Sequence, residues 1–163
     1  MQPPYTIPPQ TRIGHVHLKV FNLQRSLEFY CDLIGFEITS KHGDDAVFIS
    51  AGGYHHHIGL NTCYSKNFPL AREKGVGLFH TAILYPTHKD LATIYNRILK
   101  ADYPLTGASD HRVSQALYLN DPDNNGVELY WDRPNSEWLY NADGTIVMYS
   151  EALDLEDLLK EIN

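Results

Sequence analysis

His15, His80 and Glu128 each sit in a short stretch where apolar and polar residues alternate. His15-Val-His-Leu-Lys-Val20 and His80-Thr-Ala-Ile-Leu-Tyr85 are one pattern written twice, a histidine followed by alternation. As strands, they put Val16, Leu18 and Val20, or Thr81, Ile83 and Tyr85, on the face opposite the leading histidine. Gly126-Val-Glu-Leu-Tyr-Trp131 likewise puts Glu128 and Tyr130 on one face, with Val127, Leu129 and Trp131 on the other. Two neutral imidazoles and one carboxylate on a shared concave face are what a divalent first-row metal with open coordination positions requires. A single strand histidine reads as a hydrogen-bonded core residue. The weight here comes from the equivalent placement of His15 and His80, and from a carboxylate among Val127, Leu129 and Trp131 that is costly to bury without a cation or donor.

Of the other histidines, His17 shares a face with His15 and is expected to line the same cavity, whereas the polar settings of His42 and His88 assign them to solvent. His55, His56 and His57 form a run. Counting back from Gly59, simple alternation faces His55 and His57 inward, so an inward His56 needs a bulge after Gly53.

The elements that must position these groups repeat along the chain. Ser26 to Ile34 reads as a helix with Leu27, Tyr30, Leu33 and Ile34 on one face and Gly35 as its stop. A second helix runs from about Lys89 to Lys100, with Leu91, Ile94, Tyr95, Ile98 and Leu99 on one face. Tyr30 and Tyr95 stand at the same offset from their histidines, as do Phe29 with Ile94 and Leu33 with Ile98. Strands are expected at Phe36–Ser40, Ala46–Ser50 and His57–Asn61, and then near Leu105, at Ser114–Leu119 and at Val127–Trp131, with Asp121–Gly126 as a turn. The result is two βαβββ modules, an α+β domain whose curved mixed sheet surrounds a metal-binding cavity with the helices outside. Residues 1–12, with four prolines, form an extended arm lying on the body or a partner subunit. Module one is about 13–62, the linker 63–77, module two about 78–132, and a tail with an Asn141–Gly144 turn and a final helix (about Leu153–Ile162) fills 133–163.

A chain of 163 residues suits one domain, and its net charge of −7 with no lysine or arginine cluster argues against nucleic-acid or anionic-membrane partners. Two cysteines are too few for a disulfide scaffold. Neither a signal segment nor a membrane-length apolar run is visible, so a cytoplasmic location is expected.

Ile13-Gly-His-Val-His-Leu-Lys-Val20, Ser26-Leu-Glu-Phe-Tyr30, Gly35-Phe36 and Asp121-Pro-Asp-Asn-Asn-Gly-Val-Glu-Leu-Tyr-Trp131 resemble the vicinal oxygen chelate superfamily of extradiol dioxygenases, glyoxalase I, fosfomycin-modifying transferases and bleomycin-resistance proteins. The closer resemblance is to catechol-2,3-dioxygenase-like members. His55-His-His-Ile-Gly-Leu-Asn-Thr62 resembles their acid–base histidine segment, and Ser109-Asp-His-Arg-Val-Ser-Gln-Ala-Leu-Tyr118 the segment bearing a supporting histidine and an active-site tyrosine. The likeness covers about residues 13–159.

The resemblance implies that His15, His80 and Glu128 hold Fe(II), with Mn(II), then Ni or Zn, as alternatives. It makes His56, or else His57, the acid–base residue, His111 a supporting donor and Tyr118 a hydrogen-bond partner to the substrate oxygen. The implied activity is extradiol cleavage of a catechol-type diol by dioxygen, in a homodimer. The alternatives are a metal-dependent isomerase or thiol transferase, and a bleomycin-resistance-like binding protein. Gly59 stands where glyoxalase I-like members carry a fourth ligand, which weakens the isomerase reading. The chain has one pair of modules where two-domain extradiol enzymes have more, which leaves open whether one chain completes the cavity or a partner supplies a wall or ligands.

Overall fold

Each module folds on the same local logic. The computed structural model describes residues 4–66, 68–70 and 75–162; parts of the arm (1–3) and linker (67, 71–74) lie outside them. In module one, β1 (Val16–Lys19) is followed by α1 (Leu23–Leu27), which continues as a π-helical stretch (Glu28–Ile34), then β2 (Glu37–His42), β3 (Ala46–Ser50) and β4 (Ile58–Asn61). Module two has β5 (Thr81–Leu84), α2 (His88–Lys100), β6 (Gly107–Asp110), β7 (Ser114–Asn120) and β8 (Gly126–Asp132). The tail adds β9 (Glu151–Ala152) and α3 (Leu155–Leu159), the latter continuing as a 3-10 turn over Lys160–Ile162.

The first helix starts three residues before the expected Ser26, because the Asn22 side chain accepts from the Arg25 N–H at 3.0 Å and caps it. Its wide second half buries Phe29, Tyr30 and Ile34 together, and Gly35 ends it at φ 106° with its N–H donating to the Tyr30 carbonyl. Thr87 caps α2 by accepting from the Asp90 N–H. Leu99, expected on the buried face of α2, is 48% exposed, and Ala92 is buried instead.

Hydrogen bonding runs within each module, giving two mixed sheets in the orders β1-β4-β3-β2 and β5-β8-β7-β6-β9. In both, the first strand pairs parallel with the last, so the leading histidine of a module lies beside its final strand. Leu18, Val20, Ile49 and Leu60 from one sheet, and Leu117, Leu119 and Leu129 from the other, join Tyr30, Leu91 and the tail's Leu158 in one buried core. The helices pack on that apolar face of each sheet, outside the face that carries the histidines. Arg97 ties the two helices by donating to the Leu33 and Asp32 carbonyls. Residues 4–12 are exposed and without regular structure, the Thr11 N–H to Pro8 carbonyl turn apart. Among the described residues no helix is long and apolar enough to cross a membrane.

Candidate metal centre and its cavity

On module two, the parallel pairing of β5 with β8 sets Ala82 beside Glu128, and the antiparallel pairing of β7 with β8 sets Tyr118 directly across from Glu128. His80 enters just ahead of β5, and a Cβ on Gly126 would meet the Phe79 carbonyl at 2.3 Å and the His80 Cβ at 3.1 Å. Only glycine permits that approach. The His80 Nε2 then lies 3.0 Å from one Glu128 carboxylate oxygen, while the Tyr118 hydroxyl donates to the other at 3.0 Å. Behind Tyr118 stands the His111 Nε2, 2.6 Å from its hydroxyl. Burial, then the Glu128 carboxylate, pushes Tyr118 far above the ordinary phenol range, so it is a neutral donor throughout the working pH range. His80, Tyr118 and His111 line an open cavity of about 1180 Å³ that also takes in Phe79 and Ser150.

His111 is held by a tight turn. Its N–H donates to the Ser114 carbonyl, and Arg112 takes φ 71° while donating its N–H to Asp110. Asp110 also accepts from Arg133 at 2.5 Å and Gln115 at 3.3 Å. Burial raises the Asp110 pKa, but the Arg112 N–H, the Arg133 charge and Gln115 outweigh it and hold the carboxyl below its ordinary value.

On module one, His15 lies exposed at the start of β1, its ring 4.5 Å from that of His56. His56 also packs on Phe48 at 4.9 Å and on His55 at 4.5 Å. Desolvation, then repulsion from His15, His55, His17 and His57, lowers its pKa from the ordinary histidine value. His57 is turned away: its Nδ1 is 2.8 Å from the Ser50 hydroxyl and accepts from the Ala51 N–H. His56 rather than His57 lies beside His15 because β4 begins only at Ile58 and the chain before it passes through Gly52 and Gly53 at φ 64° and 78°. Gly59 pairs with His17 across β1 and β4, and a Cβ there would come 2.9 Å from the His17 ring. The space beside Gly59 is thus filled by the His17 ring.

The structure brings His80, Glu128, Tyr118 and His111 together, and separately His15 with His56 and His17. Among the described residues, no three histidine, cysteine, aspartate or glutamate side chains gather closely enough to hold one metal ion. The physical reason is that the two histidine-bearing faces belong to separate sheets, with β1 and β5 each paired on one side only. His42 is exposed as expected, but His88 is only partly so and has partners. It donates to Gln115 at 2.6 Å, faces Glu161 at 3.3 Å and packs on Trp131 at 4.5 Å. Three site neighbours escaped the sequence reading. Alternation along β3, with Val47 and Ile49 buried, was a signal for Phe48. For Tyr54, whose ring lies 4.0 Å from that of His55, and for Ser150, 3.0 Å from the His111 Nδ1, no pattern in the sequence pointed to the contact.

The family described as Glyoxalase/Bleomycin resistance protein/Dioxygenase superfamily matches residues 12–129. Among curated proteins, catechol-2,3-dioxygenase of Bacillus subtilis is 40% identical over 93% of this chain and 52% of its own length. Biphenyl-2,3-diol 1,2-dioxygenase 3 of Rhodococcus globerulus is 29% identical over 74% of this chain and 63% of its own. The chain therefore spans about half to two thirds of the length of these relatives. A solved glyoxalase/dioxygenase from Nostoc punctiforme superposes with a TM-score of 0.64 at 16% identity, over 82% of this chain and 100% of that one, a likeness of fold.

Proposed function

The chain belongs to the Glyoxalase/Bleomycin resistance protein/Dioxygenase superfamily, and from that premise we propose that it is an Fe(II)-dependent extradiol dioxygenase opening the ring of a catechol-type diol. The observation that carries this reading is the contact set on the cavity wall, where Glu128 meets His80 through one oxygen and accepts from Tyr118 through the other. The donors fit the ion. Bonds of roughly 2.1 Å to an octahedral metal place neighbouring donor atoms about 3 Å apart, and the His80 and Glu128 donor atoms are 3.0 Å apart. His15, His80 and Glu128 are the residues that would hold it, leaving positions for a chelating diol and dioxygen; Mn(II) suits the same donors, Ni or Zn less so. When bound, the metal supplies Lewis acidity that favours ionised diol oxygens and a route for electrons from ring to dioxygen.

The protein's own groups handle the protons. His56, kept neutral beside its fellow imidazoles, takes the proton of one diol hydroxyl and returns it to the departing oxygen. Tyr118, whose hydrogen Glu128 accepts in this structure, would turn it to the substrate oxygen once Glu128 holds the metal, with His111 beside its oxygen on the other side. His57, pinned to Ser50, takes no part.

The functional unit is a homodimer. The open strand edges β1 and β5 are led by exposed Ile13 (91%) and Phe79 (87%), each near the histidine of its half-site. Setting β1 of one copy beside β5 of its partner covers both and delivers His15 to His80 and Glu128.

Anaerobically Fe(II)-loaded protein, given catechol or 2,3-dihydroxybiphenyl and then oxygen, should form a yellow ring-fission product with matching oxygen uptake. Iron-bound protein that consumes no oxygen across a catechol panel overturns the proposal.

A further inference from the structure

β6 opens on a glycine that nothing around it requires. Gly107 pairs across from Tyr118, which pairs in turn across from Glu128, so the three stand on one rung and one face of the sheet. At Gly126 and Gly59 a Cβ would meet neighbours at 2.3 and 2.9 Å, and several other glycines take positive φ. Gly107 has neither constraint. Among the described residues beyond its chain neighbours, a Cβ there would meet the Tyr118 Cδ2 alone, at 3.7 Å, an ordinary van der Waals contact. Glycine weakens a strand, and in such a place it marks a close approach by a ligand or by another backbone. No described backbone fills this one: Gly107 lines the cavity.

The rung has a direction. From the metal side outward it runs Glu128, Tyr118, Gly107: a candidate ligand, a hydrogen-bond donor, then a gap, on strands about 4.8 Å apart. His80 lies beside Glu128, and the assembly proposed above brings His15 in along β5, so the metal's protein donors close the β5 side. A diol held there and contacted by Tyr118 lies over β7, with the ring carbon next to that hydroxyl directed toward β6. Whatever that carbon bears enters the gap. Beside Gly107 the wall continues as Thr106 and Ser109, and among the described residues no aspartate, glutamate, lysine or arginine lines the cavity. A charged substituent would find no counter-ion there, whereas an uncharged one needs none.

Building on the dioxygenase reading, we infer that Gly107 is a specificity-determining residue: the gap it leaves beside Tyr118 receives a bulky, uncharged substituent on the ring carbon next to one hydroxyl of the diol. Specificity of this kind comes from a side chain that is missing. Restoring one should narrow the site without displacing the metal's donors, since a methyl group there packs on the Tyr118 ring at an ordinary distance.

Anaerobic calorimetry on the Fe(II)-loaded protein tests this without turnover. The wild type should bind 2,3-dihydroxybiphenyl more tightly than catechol, and more tightly than the carboxylate-bearing 3-(2,3-dihydroxyphenyl)propionate. The ratio of dissociation constants for biphenyl diol and catechol should shift toward catechol by about 10-fold in Gly107→Ala and further in Gly107→Val, the usual scale for one or two carbons in a shaped pocket. With oxygen admitted, the ratio of kcat/KM values should move the same way, through KM. If valine disturbs folding, alanine carries the test, because its Cβ is accommodated. A wild type that binds the biphenyl diol no tighter than catechol or the propionate, or a ratio unmoved in the variants, overturns the inference. Selective binding without ring cleavage would overturn the dioxygenase reading and leave the slot standing, and binding of none of the diols overturns both.

Discussion

Tyr118 accepts from His111 and donates to Glu128, so removing its oxygen uncouples that imidazole from the carboxylate. Tyr118→Phe should lower kcat/KM on a catechol by about 100-fold, the usual scale for a positioned proton or hydrogen-bond donor. Unfolding free energy should fall by only about 1 kcal/mol, so steady-state oxygen uptake and urea denaturation together separate the two effects. Asp110 makes a pH-dependent claim. Its folded pKa lies below its ordinary 3.8, so the stability it contributes is present above that value and is lost as pH falls beneath it. Asp110→Asn should therefore cost about 1–2 kcal/mol at neutral pH, and the gap in melting temperature from the wild type should close as pH drops below 3.8. At this scale the sequence was informative where a residue type repeated in register, as for His15 and His80. It was misleading for His88, whose polar neighbours in the chain gave no sign that Gln115, Trp131 and Glu161 would enclose it.

The elements transmit these contacts through close strand approaches. Gly126 lets β8 lie against the entry to β5, and its missing Cβ would meet backbone, the Phe79 carbonyl, which cannot swing aside. Gly126→Ala should push β5 outward, destabilise the fold by about 1–3 kcal/mol and weaken metal binding by separating His80 from Glu128. Urea unfolding and metal titration read the two consequences. Gly59→Ala is the contrasting case. The atoms it would meet belong to the exposed His17 ring, which can rotate away, so stability should hardly change in the same unfolding assay. Alternation and helical periodicity located the strands and helices that bury one face against a common core, whereas β2 is exposed along its whole length. They misplaced the ends, since Asn22 capping and the π-helical turn depend on hydrogen bonds that periodicity does not encode.

For the molecule as a whole, the separation of the half-sites makes a prediction about assembly. If His15 of one copy serves His80 and Glu128 of its partner, His15→Ala and His80→Ala proteins should each bind metal poorly alone. Unfolded and refolded together, they should recover metal binding up to about one site per mixed dimer, since a C2 interface there pairs both intact halves in one of its two sites. A centre built inside one chain gives no recovery, because every chain then lacks a ligand. Dialysis against Mn(II) or Co(II) with metal analysis makes the measurement without turnover. The curated relatives are longer than this chain, which covers 52% and 63% of their lengths.

The sequence by itself determined the duplicated βαβββ pattern, the inward faces of the strands and the identity of the candidate ligands. Each of these is written in local periodicity and in the matched spacing of His15 and His80 from their helices. The choice of His56 over His57 as the partner of His15, the filling of the Gly59 gap by His17, and the arrival of Ser150 at His111 were decided only by tertiary structure. They depend on positive-φ turns, on the register between strands far apart in the chain, and on a tail strand docking against β6, and periodicity along the chain contains none of these.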